Sequence, residues 1–396
     1  MVKYSPSYIL KIDNKPIPES IAMRLLAWEY EDCEGLDKLT MTFYNYDLKM
    51  DKSIFQQGVS VEFRHGYLNP LDMSDPFIGM IDIKSGFKRL TVECIEIAYV
   101  FNTEEKVRIF QNASLAEVVG RIACENNLAG HKTVERMDAK GVALKFDYFQ
   151  TKLQDLSFLY LIGIKIGYKV WVENEASGQV LYFMPRKYWM TPYMTFTYYG
   201  DEGQVLDFVP QVNTRGKRGA LEIGGVDLET KKGFSHKTAG ASLIRKAVYL
   251  GEHFYDYDEI VSKYKVLTEK ALVRQQVNTK AEAEDVLAGK YEEEMENQIT
   301  AELHLVGEPK LRSKRVIQMD NVDEYSGKYY VTSVKHTSDG YTTVAQLTRN
   351  AAFDEGERYA RKNIDSVVNR NRPSVAEFLK MTKNSPKADY YKTLLR

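Results

Sequence analysis

Cysteine is scarce in this chain of 396 residues: Cys33, Cys94 and Cys124 are odd in number and far apart. Such spacing argues against a disulfide framework or a zinc site and fits reduced thiols used as small core residues. No charge of one sign is in excess either. The 54 basic and 55 acidic residues nearly cancel, which argues against affinity for phosphate or anionic lipid through whole-molecule attraction and leaves any basic contact local. Long apolar runs are missing as well. The N-terminal MVKYSPSYILKIDNK has no signal-peptide core, and the longest run, FLYLIGIKIGY, is roughly half a membrane span and carries Lys165. A soluble chain without a cleaved export signal or a membrane partner is expected.

The usual chemical signatures are absent too. No two of the six histidines, His65, His131, His236, His253, His304 and His336, lie three or four residues apart, so no helix presents an imidazole pair to a metal. There is no GxxxxGK[ST] loop, no GxGxxG after a strand and no GxSxG elbow. His336, close to Asp339, has no nucleophile nearby and reads as a turn histidine before the Asp339-Gly340 pair. Carboxylates are plentiful, and two of them could fold into a glycosidase pair, an alternative the sequence leaves open. Neither catalytic residue, cofactor nor metal is nominated, and no enzyme is expected.

What the chain does have is aromatic side chains. Its 27 tyrosines and 17 phenylalanines lift the aromatic share to 12%, a composition suited to half-buried sheet faces and subunit contacts. Tyr325 to Gln346, YSGKYYVTSVKHTSDGYTTVAQ, alternates like a surface hairpin, yet places tyrosine, threonine and β-branched residues where a monomer would put charge.

The pattern along the chain predicts an α+β, mainly β, protein. SYILKIDNKPI, DKLTMTFYNYDLKM, VSVEFRHGYL, PFIGMIDIKS and LTVECIEIAYVF read as strands, while IAMRLLAWEYE reads either way. Leu39, Met41 and Phe43 share one face and Thr40, Thr42 and Tyr44 the other, and Gly58, Gly66, Gly79 and Gly86 punctuate turns. The period then changes. Ser114 and Glu117 form a capping box ahead of a stripe of Leu115, Val118, Val119 and Ile122, so Asn112-Ala113-Ser114 is a helix cap in preference to a glycosylation acceptor. A second box, Thr151 to Gln154, opens a helix ending between Gly163 and Gly167, followed by the strands YKVWVEN and QVLYFMPR. QVLDFVPQVNT and RGALEIGGVDL are strands, and KTAGASLIRKAVYLGEHFYDYDEIV is mixed in period. KALVRQQVNTKAEAEDVLAGKYEEEMENQ is expected as one long helix on Ala283, Val286, Leu287, Tyr291 and Met295, its Glu292-Glu293-Glu294 run a solvated face. ITAELHLVGEP, KRVIQMD, GKYYVTSVKHT and YTTVAQLTRN follow as a meander. The expected boundaries are 1–104 (β), 105–200 (α/β), 201–350 (β with one long helix; part of 240–275 could pack with the α/β unit) and 351–396, a basic arm with ten Lys or Arg against six Asp or Glu.

FQNASLAEVVGRIACENNL, FDYFQTKLQDLSFLYLIGIKIGYKVWV, HLVGEPKL and the Tyr325 hairpin resemble, in order and spacing over most of residues 5–352, the phage late control D family. These are hub proteins of contractile phage tails and related injection systems, similar to the hub portion of VgrG spike proteins. The most specific part is Ser326-Gly327, Tyr329, Val331, Val334, His336 and Gly340-Tyr341-Thr342-Thr343. The resemblance implies two β-barrels similar to the tail-tube subunit with a small α/β domain inserted. Three chains would form a ring matching a six-fold tube to a three-fold spike. Its implied partners are two further copies, the tube protein, a spike and other baseplate or tape-measure proteins, with DNA at most in transit through the lumen. The implied location is a virion tail baseplate or injection particle assembled in the bacterial cytoplasm. Tyr325, Gly327, Tyr329, Val331, His336, Gly340, Tyr341 and Thr343 become structural or interface candidates, with Tyr and Thr facing a neighbouring subunit's strand. The sequence departs from the family in two places. Only residues 351–396 follow the match, too few for a needle domain, so a separate spike polypeptide is expected, and the 351–396 arm is expected to contact that spike or a neighbouring baseplate subunit. Arg312-Ser313-Lys314 also replaces the family's Pro-Gly turn. A tail-tip cell-wall hydrolase and a receptor- or glycan-binding β module are the alternatives.

Overall fold

The computed structural model describes residues 5–48, 54–137, 140–175, 178–185, 191–200, 204–212, 220–226, 230–239, 270–273 and 299–349, with isolated positions between 277 and 297. The first segment comprises β1 (Pro6–Ile12), β2 (Lys15–Pro16), a single helical turn α1 (Glu19–Ala22), β3 (Leu25–Cys33), β4 (Lys38–Tyr44), β5 (Ser60–Tyr67), β6 (Asp72–Met73), β7 (Phe77–Ser85) and β8 (Arg89–Glu96). The ambiguous IAMRLLAWEYE therefore divides: its start closes α1 and its remainder is β3. Period-two burial is what makes these strands. In β4, Leu39, Met41 and Phe43 are fully buried, Thr40 and Thr42 are half-buried and Tyr44 is exposed.

The middle segment holds β9 (Lys106–Ala113), α2 (Leu115–Glu125), β10 (Gly130–Thr133), β11 (Phe146–Leu153), α3 (Asp155–Ile166), β12 (Lys169–Glu175) and β13 (Gly178–Met184). The predicted capping box is present: the Glu117 amide donates to Ser114 Oγ at 3.3 Å, and the Ser114 amide donates to the Glu117 carboxylate at 2.7 Å. The second box is not. Thr151 lies in β11, and α3 starts from Gln154 without a side-chain cap. Asp155 is spent instead on a buried network, accepting from Lys106 at 2.7 Å and Arg108 at 2.6 Å of β9 and from Gln150 at 3.0 Å of β11. The helix ends at Gly167, whose φ of 73° supplies the left-handed C-cap. Both helices pack on β9, β11, β12 and β13 around Val118, Val119, Phe158, Leu159 and Phe183.

The third segment contributes β14 (Met194–Thr197), β15 (Val205–Val212), β16 (Ala220–Val226), β17 (Gly233–Ala239), β18 (Lys270–Leu272), β19 (Ile299–Val306), β20 (Val316–Asp320), β21 (Gly327–Thr337) and β22 (Thr342–Arg349). Two expectations are corrected. The long helix does not begin at Lys270, because Lys270–Leu272 pairs in parallel with β16; helical positions run from Lys280 to Lys290. Ala283, Val286 and Leu287 pack on Leu221 and Ile223 of β16 as predicted, whereas Tyr291, Met295, most of 237–261 and the whole of 351–396 lie outside the described residues. The last four strands are not a meander either. β19 pairs with β22, not β20, giving the order β19-β22-β21-β20.

Strands of the first and third segments share one sheet. Among the described residues it follows an open path, β15-β19-β22-β21-β3-β4-β8-β7-β5-β1-β2, with β14, β20 and β6 off the path. The join is β21. Gly327 to Tyr330 pair with β20, and Ser333 to Thr337 pair with Cys33 to Glu29 of β3, while β22 covers the opposite edge. Among the described residues no helix is long and apolar enough to cross a membrane.

Candidate functional site

The hairpin expected on the surface lies in the middle of the sheet. β21 has β22 along one edge and β20 followed by β3 along the other, so its tyrosines face the chain's own interior and not water or a neighbour. Tyr329 and Val331 are fully buried, as are His336, Tyr341 and Thr343; Tyr325 is half-buried, and Gly340 is exposed in the turn with φ 60°. Gly327 opens β21 at φ 132°, and a Cβ there would lie 2.8 Å from the guanidinium of Arg349. That guanidinium, itself fully buried, donates to the Ser326 carbonyl at 2.8 Å, so only glycine gives it room.

His336 is a core histidine, which corrects its reading as a turn residue. The Asp-Gly turn signal is real, but the ring belongs to the strand before it and points inward. Its Nε2 lies 3.2 Å from the Leu311 carbonyl, which can only accept, so Nε2 carries the proton. Nδ1 must then accept from Thr343 Oγ1 at 3.0 Å, and that hydroxyl in turn accepts from the Glu308 amide at 3.0 Å. This relay clamps the loop Gly307–Leu311 onto the hairpin. The same loop reaches the first segment: Tyr67 donates to the Gly307 carbonyl at 2.8 Å, and Lys310 Nζ donates to the Met73 carbonyl at 2.5 Å. Beside the relay, the His65 ring of β5 lies 4.2 Å from that of His336, tilted by 42°, and shares a 2.9 Å hydrogen bond with Tyr341. Burial pushes the His336 pKa down to about 4, and burial together with His336 holds His65 well below its usual value, so both rings are neutral.

The departure at Arg312-Ser313-Lys314 forms the second half of the site. Lys314 takes φ 62°, where glycine is the default residue, and sends its ammonium into the seam. There it lies 3.1 Å from Asp32 and 3.3 Å from Asp37, with all three side chains almost inaccessible to water. Asp32 also accepts from the Ser313 amide at 3.0 Å and from the Ser313 hydroxyl, and pairs with Arg312 at 3.5 Å. Arg312 extends to Glu173 of β12 at 3.1 Å, and Arg315 meets the same carboxylate at 3.4 Å. One cluster thus ties β3, the turn before β4, β12 of the α/β segment and the loop before β20. Burial opposes charge on Asp32, but Lys314 and Arg312 outweigh it and hold this carboxyl well below the usual range. Asp37 goes the other way, raised by burial and by Asp32, and Glu96 is raised by burial and by Asp37. Burial opposes the Lys314 charge, and Asp32 and Asp37 more than restore it.

No nucleophile is paired with a base in this arrangement, and among the described residues no three His, Cys, Asp or Glu side chains gather to hold a metal. What the cluster can do is fix three segments in one geometry. The three cysteines are unpaired, but only Cys94 is the core residue expected; Cys33 is half-buried and Cys124 exposed.

No family model matches the sequence, and no curated protein matches it. Solved structures do. A tail protein from Neisseria meningitidis MC58 superposes with TM-score 0.60 at 10% identity, over 88% of this chain and 98% of that one. The fold is that of phage tail proteins. The 43 kDa tail protein of prophage MuSo2 from Shewanella oneidensis gives TM-score 0.58 at 13% identity, over 88% of this chain and all of its own. An Escherichia coli component of the type VI secretion system, itself similar in structure to T4 bacteriophage tail proteins gp27 and gp5, gives 0.51 at 12% identity, over 87% of this chain and 78% of that one. In this chain the Gly307–Arg315 loop with its charges holds strands far apart in sequence in one sheet.

Proposed function

We propose that this chain is the structural hub of a contractile phage tail or related injection system. It forms a trimeric ring that adapts a six-fold tube to a three-fold spike and catalyses no reaction. The observation that carries this reading is a fold shared with two phage tail proteins over nearly their entire lengths. In this reading the two β segments, 1–104 and 201–350, act as tube-like barrels flanking the α/β domain at 105–200. The basic arm at 351–396 contacts a spike or a neighbouring baseplate subunit. Because β21 is used up inside the chain, pairing between copies falls to the ends of the strand path. The outer edge of β15 has no partner strand among the described residues, whereas β2 and Pro6 blunt the β1 edge.

Native mass spectrometry of the purified chain tests the reading. Three copies per particle is the expected mass, and a monomer at every concentration overturns the ring. A zymogram on bacterial cell wall separates the hub from a tail-tip hydrolase, since clearing by the purified chain would contradict a purely structural role.

A further inference from the structure

The seam gathers three carboxyls around one amine. Lys314 Nζ lies 3.1 Å from Asp32 Oδ1 and 3.3 Å from Asp37 Oδ1, and Glu96 accepts from the Asp37 amide at 3.4 Å. All four side chains are almost inaccessible to water. The two aspartates are held differently. Asp32 has a second cation in Arg312 at 3.5 Å and two further donors in the amide and hydroxyl of Ser313. Asp37 forms no ion pair besides Lys314 among the described residues; its Oδ1 accepts from the Cys33 amide at 3.2 Å and its Oδ2 from the Tyr30 hydroxyl at 3.0 Å. Burial and Asp32 raise the Asp37 pKa to about 7, while Asp32 stays ionised. The amine therefore lies between a carboxylate placed to take its proton and an acid placed to take its lone pair.

We propose that Lys314 and Asp37 condense into an amide, a covalent staple that the chain makes by itself between its first and third segments. Asp32 and Asp37 hold Lys314 as the ammonium in the ground state, so the first step moves one Nζ proton to Asp32 Oδ1 across the 3.1 Å contact. The freed lone pair attacks Asp37 Cγ, and the Tyr30 hydroxyl donates to Oδ2 as negative charge collects there. When the carbonyl re-forms, the Cγ–Oδ1 bond breaks and Oδ1 leaves as water, carrying the carboxyl proton and a second Nζ proton. One hydrogen stays on nitrogen and one on Asp32, so atoms and charge balance without a cofactor or an oxidant. The product removes a buried ammonium and leaves Asp32 with Arg312 and Ser313 as partners. Fixing both groups in one fold supplies the proximity that free lysine and aspartate lack. The two residues are 277 positions apart, and a link of that span restricts the unfolded chain more than a local one would. The inference does not depend on the ring, because the staple closes within one chain.

The test is the mass of the full chain under denaturing conditions, freshly purified and after storage at neutral pH, followed by a tryptic digest. The parent is expected one water lighter than its sequence requires, with a branched peptide joining the segment around Asp37 to the segment around Lys314. Lys314→Arg keeps the charge but cannot form the amide, and should keep its full sequence mass. Asp32→Asn leaves the amine beside Asp37 and should slow the loss of water at least about tenfold. A parent that retains its full mass in both samples overturns the proposal and leaves the cluster an ion pair. So does a loss of water without the branched peptide, or a loss that persists in Lys314→Arg; should that variant fail to fold, the digest of the parent decides alone. Loss of water from Asp32→Asn at the parent's rate would overturn the assigned proton transfer. A monomeric chain that carries the branched peptide would refute the ring and leave this inference standing.

Discussion

His336 enters the fold as a neutral ring, and that has a consequence in acid. Its folded pKa of about 4 lies below the unfolded value near 6.5. Between those limits the unfolded chain binds the extra proton, so stability is intact above about pH 6.5 and is lost as pH falls toward 4, by up to about 1.4 kcal/mol per pH unit for this residue. His65 acts in the same direction. Asp37 and Glu96 act oppositely: their raised folded pKa values weaken the fold as pH rises past the unfolded carboxylate range. Comparing the chain with His336→Gln cancels those carboxylates. Urea midpoints between about pH 7 and pH 5 should fall more steeply for the parent than for the variant; parallel slopes would rule out the neutral ring. Lys314 gives a second, independent prediction. Lys314→Met takes the buried ammonium away from Asp32 and Asp37, leaving Asp32 only the more distant Arg312 as countercharge, and should cost about 3 kcal/mol. Adding Asp32→Asn should return part of the loss, a coupling readable in a double-mutant cycle. Neither residue's role was legible from sequence. A histidine ahead of Asp-Gly reads as part of the turn, because Leu311 lies 25 residues back and His65 in another segment, and the carboxylates that hold Lys314 lie almost three hundred residues away.

At the scale of elements, what could be read depended on how local the determining contact is. The Ser114–Glu117 cap is closed within one turn, and the sequence pattern located it. Thr151 and Gln154 offer the same spacing, but strand pairing with β9 reaches Leu153 and holds Thr151 extended, so the box never forms. Lys270–Leu272 carries helical periodicity yet pairs with β16, a partner roughly fifty residues upstream that no window reveals. The described helical positions up to Lys290 show how tightly such elements then meet. Gly289 presses on the end of α3, and a Cβ there would sit 2.4 Å from the Ile166 carbonyl carbon, a backbone atom that no rotamer change can move. Gly289→Ala, favourable in an isolated helix, is therefore expected to destabilise the protein by about 1–3 kcal/mol. A thermal midpoint at or above that of the parent would show that the two helices do not meet there.

For the molecule as a whole, the seam decides whether the two β segments behave as separate bodies. Read along the sequence, 1–104 and 201–350 look like independent units, each near the size of one small barrel. In space, β3 takes its outer neighbour from β21, and the core of the first segment includes Tyr341. Asp32 and Asp37 find their countercharge on Lys314, almost three hundred residues away. A fragment spanning 1–104 would keep its alternating strands but expose the edge of β3, leave two carboxyls without a cation and open the cavity that Tyr341 fills. Each of those losses costs on the order of 1–5 kcal/mol, against a typical domain stability of about 5–15 kcal/mol. The fragment is thus expected to be expressed as an unfolded or aggregating chain. In the intact protein, Trp28 in the first core and the β19–β22 backbone in the third segment should melt together. Fluorescence of a chain that keeps Trp28 and carries phenylalanine at its two other tryptophans, and far-UV circular dichroism recorded on the same urea series, check this. Coincident transitions follow if the seam carries the coupling, whereas a separate early transition in Trp28 would mean that the first segment stands without β21.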